Sequence, residues 1–299
     1  MQVKLKKKII FIFFFFISTL KVASASQYNE DLKKISKENG FIDNKSQIYK
    51  INPSIDKDST IIIIYTHGVT KIDWELDPCY GPPNLILSLH DTEIKGKKIK
   101  IYKLCSGVRG WTNSEQEKMY QGYKKNNKLD LTLKDEKGVL LSKKFKQIQK
   151  LKVMYDTAKK FHKEGYRNII LSGHSIGGWN SLRITSYNQK IIRGAIALSP
   201  AAGGRLDNKK KFPWWIDIMH YGFSKPNYSN SIVFYHPQDE FMESKHYGNL
   251  KKAKKIEWIN IKNNGCKDKD IEFHSMILWN CFDDGNYRTK IINYLNRVF

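Results

Sequence analysis

The chain of 299 residues is short of cysteine, of arginine and of long apolar runs, and each shortage narrows what it can be. Its four cysteines include no Cys-x-x-Cys pair, so the spacing that closes most structural zinc sites is missing and no metal is expected. Only seven of the 52 basic residues are arginine, the side chain whose planar fork suits phosphate, and the lysines are scattered rather than gathered in a stripe. The formal charge of +23 therefore reads as a lysine-rich composition. It argues for peripheral contact with an anionic envelope or membrane surface ahead of nucleic acid, which is not expected as a partner. One apolar run stands out, residues 9–20, and at 12 residues it is too short for a comfortable membrane span. No internal repeat is visible.

That run has its own explanation. Lys4, Lys6, Lys7 and Lys8 precede it and Ala23-Ser24-Ala25 follows it, the charged, apolar and small-x-small order of a signal peptide with cleavage after Ala25. Cleavage would remove five lysines and no acids, leaving +18. The expected location is periplasmic or secreted, where cysteines pair. Of the three pairings open to four cysteines, the sequence-local ones, Cys79–Cys105 and Cys266–Cys281, are expected.

Residues 26–299 read as one domain. A short helix is expected at 32–37 and a weak strand at 48–51. The β-branched run 61–66 has the continuous apolar character of a strand buried on both faces. A short helix at 84–90 and a strand at 99–104 follow, and Ser114-x-x-Glu117 has the spacing of a capping box. Residues 124–144 are rich in lysine and asparagine and read as a surface insertion without chemistry. Phe145, Ile148, Leu151, Met154, Tyr155, Ala158 and Phe161 recur at steps of three and four, predicting an amphipathic helix over 145–163 that Gly165 ends. Strands at 168–172, 192–198, 231–235 and 256–261 then alternate with helices at 178–187, 243–255 and 287–298. Such alternation is the pattern of a mostly parallel sheet flanked by helices on both faces. Residues 201–230, after the strand that follows the 178–187 helix, interrupt it with an aromatic insertion. Two readings stay open: a lid or acyl-binding wall over a pocket, or a helix whose aromatics join the core.

The chemistry centres on Ile169-Ile170-Leu171-Ser172-Gly173-His174-Ser175-Ile176-Gly177-Gly178. A serine held in a tight strand-to-helix turn needs small neighbours at minus two and plus two, and Gly173 and Gly177 supply them around Ser175. The turn places the Ile176 N–H at a helix N-terminus, where it can face a developing oxyanion. An activated serine also needs a base and a group to orient that base, both at loops following strand ends. Asp239 follows the 231–235 strand, and His274 is the one histidine after the last strand. Glu240 adjoins Asp239 and competes with it for the acid position, with Asp239 preferred as nearer the strand end. His174 reads as structural. His90, His162, His220 and His246 read as surface residues, and His236 as packing near the site without a catalytic role.

With Gly-His-Ser-Ile-Gly-Gly, a His67-Gly68 turn after an early strand and the order Ser175, Asp239, His274, the chain from about residue 60 onward resembles the α/β-hydrolase family. The resemblance implies a serine hydrolase without a cofactor. In it Ser175 attacks, His274 takes its proton, Asp239 fixes the His274 tautomer, and the Ile176 and Val69 N–H groups form the oxyanion hole. It also leaves the leading antiparallel strands of that family thinly represented before residue 61. An exported esterase acting on an ester or thioester, with a small-molecule or lipid acyl ester as substrate, is the leading expectation. A peptidase or amidase of the same fold, or a hydrolase-fold envelope binding protein without turnover, are the rivals.

Overall fold

The computed structural model describes residues 39–49, 56–68, 79–108, 112–127, 132–186, 190–202, 228–241, 250, 253–262, 266, 272–279, 282 and 285–299. The chain divides into residues 1–37 and 38–299, and every described residue belongs to the second unit. The expected signal peptide, the 32–37 helix, most of 201–230, most of 243–255, His220 and His246 lie outside the described residues.

Side chains alternate between the two faces of a strand, so an unbroken apolar run demands cover on both. Strand β3 (Thr60–Thr66) shows how the fold meets that demand. Ile61, Ile63 and Tyr65 enter one core, while Ile62 and Ile64 enter another on the opposite face. All four isoleucines are 0% exposed, and full burial stabilises by about 1.5–3 kcal/mol for each such side chain. The first core is closed by helices α1 (Asn84–Leu87) and α5 (Gly285–Val298), through Leu85, Ile86, Tyr287, Ile291 and Leu295. The opposite face is covered by α3 (Lys146–Lys163) through Met154, Ala158 and Phe161, and by α4 (Ile176–Thr185) through Trp179, Leu182 and Ile184. A further helix, α2 (Asn113–Asn126), precedes α3.

The sheet runs in the order β2-β1-β5-β3-β6-β7-β8-β9, from β1 (Gly40–Ile42), β2 (Ile48–Tyr49), β5 (Lys97–Leu104), β6 (Asn168–His174), β7 (Ile192–Leu198), β8 (Asn230–Tyr235) and β9 (Ile256–Asn260), with β4 (Glu93–Ile94) paired to β5. Every pairing from β5 through β9 is parallel; those of β1 with β2, β1 with β5 and β4 with β5 are antiparallel. This is the mostly parallel sheet with helices on both faces that the alternation predicts, the architecture that the resemblance to α/β-hydrolases implies. Because β3, β6, β7 and β8 are parallel neighbours, the residues that follow each of them emerge at one edge of the sheet.

Several local expectations are corrected. The thin leading strands are present as β1 and β2: Phe41 pairs with Tyr49 and Ile42 with Ile48, and β1 pairs in turn with β5. The capping box is formed by Thr112 and Glu115: Thr112 Oγ1 accepts from the Glu115 N–H at 3.2 Å, and the Glu115 carboxylate accepts from the Thr112 N–H at 2.8 Å. The helix therefore starts before Ser114. Leu141, inside the supposed surface insertion, is 0% exposed and packs with Met119 and Phe145. The expected amphipathic helix is present as α3; Ile148 and Leu151 pack half-buried against the cores, and Lys146, Gln147 and Lys150 are buried beside them. The expected bridge Cys79–Cys105 is present. Cys266 is disulfide-bonded as well, and Cys281 lies outside the described residues.

Candidate active site

The elbow is tighter than the motif alone requires. β6 runs through His174 and α4 starts at Ile176, so a single residue makes the turn. Ser175 takes φ 54° and ψ −121°, a backbone region that a side-chain-bearing residue occupies only under constraint, at a cost of about 1–3 kcal/mol. The constraint comes from close backbone packing. A Cβ on Gly177 would stand 2.2 Å from the Thr66 carbonyl oxygen, and one on Gly173 would stand 2.5 Å from the same oxygen and 2.5 Å from the Gly177 carbonyl carbon. The next strand holds the turn from the other side. The Ser175 N–H donates to the Leu198 carbonyl at 3.0 Å, and the Ser175 carbonyl accepts from the Ala201 N–H at 3.1 Å. The first N–H groups of a helix have no partner within it, and that of Ile176 is the first of α4.

The His67-Gly68 turn lies against this elbow. A Cβ on Gly68 would come within 2.9 Å of Ser175 Cβ and 3.2 Å of His174 Nδ1. Lys150, 1% exposed, reaches from α3 to donate to the Gly68 carbonyl at 3.1 Å. Burial holds the His67 pKa well below its ordinary value, and the nearby Lys150 charge adds to the effect. Val69, the expected second oxyanion donor, lies outside the described residues.

Asp239 and His274 meet at the same edge. His274 Nδ1 is 2.8 Å from Asp239 Oδ2, and both residues are buried. A carboxylate oxygen accepts, so Nδ1 carries the hydrogen and Nε2 is the bare nitrogen. That Nε2 is buried and has no hydrogen-bond partner among the described residues. The second carboxylate oxygen, Asp239 Oδ1, accepts from the Phe241 N–H at 2.8 Å, and the Asp239 N–H donates to the His236 carbonyl at 3.1 Å. Glu240 is exposed. The turn geometry thus answers which of the two acids faces the histidine.

Two ring stacks clasp the loops after β8 and β9. Phe241 lies on the His274 ring at 4.2 Å between centroids, and His236 lies on Phe273, also at 4.2 Å. His236 Nδ1 also accepts from the Gln238 N–H at 3.1 Å, which puts it beside the site as a packing residue. His174 bridges the elbow to the His274 loop: its Nε2 is 2.8 Å from the His274 carbonyl oxygen, and the two rings are 4.8 Å apart.

No protein-family model and no curated protein sequence matches the chain. Among solved structures it is similar to one described with the metagenome-derived lipolytic enzymes LipS and LipT, at 8% identity and TM-score 0.48 over 87% of this chain and 98% of that one. It is similar to a monoacylglycerol lipase of Paleococcus ferrophilus at 12% identity and TM-score 0.46, over 88% of this chain and 98% of that one. A protein of unknown function from Staphylococcus aureus shows 9% identity and TM-score 0.45, over 87% of this chain and 99% of that one.

Sequence reasoning placed Ser175, Ile176, Asp239 and His274 at one sheet edge, and there the chain places them. It missed the part played by Lys150, Phe241 and His174. Lys150 had a signal, since it lies four residues before Met154 and so shares the face that carries Ala158 and Phe161. Phe241 had none, because its partner is 33 positions away.

Proposed function

We propose that this chain is an exported serine hydrolase that cleaves an ester or thioester through an acyl-enzyme. The observation that carries the reading is the buried His274–Asp239 contact of 2.8 Å, at the sheet edge where Ser175 is held at φ 54°. Ser175 Oγ attacks the acyl carbon while His274 Nε2 takes its proton and Asp239 stabilises the resulting imidazolium. The Ile176 N–H, with that of Val69, faces the oxyanion. His274 then returns the proton to the leaving alkoxide or thiolate, and water releases the acyl group by the same steps reversed. Contacts between a nucleophile and its base commonly close only when substrate is bound.

Export rests on the Lys-rich, apolar, Ala-Ser-Ala leader together with the Cys79–Cys105 bridge, which belongs to an oxidising compartment. A small-molecule or lipid acyl ester is the substrate class, and peripheral contact with an anionic envelope surface follows from the charge.

Labelling by a fluorophosphonate probe, followed by nitrophenyl esters of rising chain length and matched anilides, tests the reading. Wild-type protein should label and turn over esters ahead of anilides. Ser175→Ala should do neither, losing about 10⁴- to 10⁶-fold in rate. An unlabelled wild type would favour the binding-protein alternative, and preferred anilide cleavage a peptidase or amidase.

A further inference from the structure

His174 stands immediately before the proposed nucleophile, and the proposed mechanism gives it no task. We infer that His174 is a positioning residue: its Nε2–H holds the main chain of His274 and so sets where the His274 ring stands over Ser175. The inference rests on the hydrolase reading of the site.

The acceptor fixes the chemistry. A carbonyl oxygen can only accept, so the 2.8 Å contact requires His174 to carry its hydrogen on Nε2 and to leave Nδ1 bare. The bare nitrogen faces Gly68, where a Cβ would come within 3.2 Å of it. Burial supports the same protonation state, pushing the His174 pKa down to about 3, with the neighbouring His274 adding to the shift. A neutral ring is what this position needs. A second imidazolium with its ring 4.8 Å from that of His274 would oppose the charge that forms there during acyl transfer.

The contact also joins segments 100 positions apart. His174 is rigid, because it is the last residue of a central strand and its neighbour Ser175 is tied to β7. His274 sits on a loop beyond the last strand, a type of segment that opens at low free energy. Its ring is restrained by Asp239 at one edge and by Phe241 on one face, and both of those residues lie on the loop after β8. Among the described residues, His174 is the one that ties His274 to the strand leading into Ser175, by this hydrogen bond and by the approach of the two rings.

The test exploits side-chain reach. A glutamine amide nitrogen lies about as far from the backbone as histidine Nε2, whereas an asparagine amide nitrogen falls at the position of Nδ1 and cannot reach the carbonyl. His174→Asn should lower kcat by about 10- to 100-fold, the loss that about 1 Å of misplacement causes, with KM within about twofold of wild type. His174→Gln should recover kcat to within about threefold. A purely structural role would lower the two variants alike with their thermal stability. Unchanged kcat in His174→Asn, a loss confined to KM, or a His174→Gln variant as impaired as His174→Asn would each overturn the inference.

Should His174→Asn fail to fold, imidazole nitrogen NMR of the wild type decides. An Nε2–H tautomer of His174 persisting from pH 8 to pH 5 supports the contact, and an Nδ1–H tautomer removes it. Fluorophosphonate labelling keeps the two readings apart. If wild type labels and His174→Asn matches it in kcat, only this inference falls; if wild type does not label, the hydrolase reading falls and this one with it.

Discussion

Gly177→Ala adds one carbon where the structure has no room for it. The new Cβ would stand 2.2 Å from the Thr66 carbonyl oxygen and 3.0 Å from that of His67, both backbone atoms of the strand end beside the elbow. Ordinary contact is more than about 1 Å longer than the first of these, and neither oxygen belongs to a flexible side chain that could swing away. The elbow and the end of β3 must therefore separate by about an ångström. Overpacking of this kind costs about 1–3 kcal/mol, and each kcal/mol lowers Tm by about 2–4 °C in a domain of this class. The effect on rate should be larger, because the separation moves Ser175 and the Ile176 N–H away from the His67-Gly68 turn. A displacement of about 1 Å is enough for roughly a 100-fold loss in kcat/KM. Gly81→Ala is the control, since a Cβ there meets nothing within 4 Å. Differential scanning calorimetry and ester turnover on the two variants are the measurements. If Gly177→Ala kept its Tm within 1 °C and its rate within threefold of Gly81→Ala, by these same rules the elbow would not pack on Thr66 as described.

Two further expectations concern the ionisable residues. Asp239→Asn should depress ester turnover by about 10⁴-fold, while the exposed Glu240→Gln changes it little; the reverse ranking in steady-state assays would move the acid role to Glu240. His174 also makes stability depend on pH. Its folded pKa of about 3 lies below the ordinary 6.5, so the unfolded chain takes up a proton as pH falls through 6.5 while the folded protein does not. The associated stability is complete above pH 6.5 and is lost progressively below it, by about 2 kcal/mol between pH 7 and pH 5. His67, also buried and also held below its ordinary pKa, acts in the same direction. Urea unfolding at the two pH values should show a smaller acid loss in His174→Gln than in wild type, and equal losses would refute the assignment.

What the sequence alone determined are the features whose cause is local. Gly173 and Gly177 announce a crowded turn because the crowding acts on their own Cβ positions. The isoleucines of β3 announce burial on both faces because a strand alternates its side chains. Ser175, Asp239 and His274 each follow a strand of the alternating pattern, and parallel strands deliver such ends to one edge. Tertiary structure decided whatever depends on residues distant in sequence. Asp239 rather than Glu240 faces His274 because a turn closed on the His236 carbonyl buries the Asp239 carboxylate, while Glu240 is exposed. Lys150 is buried because the Gly68 carbonyl, 82 positions earlier, accepts its ammonium. His174 reaches the His274 carbonyl across 100 positions. No periodicity or motif encodes such approaches, since they arise only when strand register and helix packing have fixed where separate segments meet.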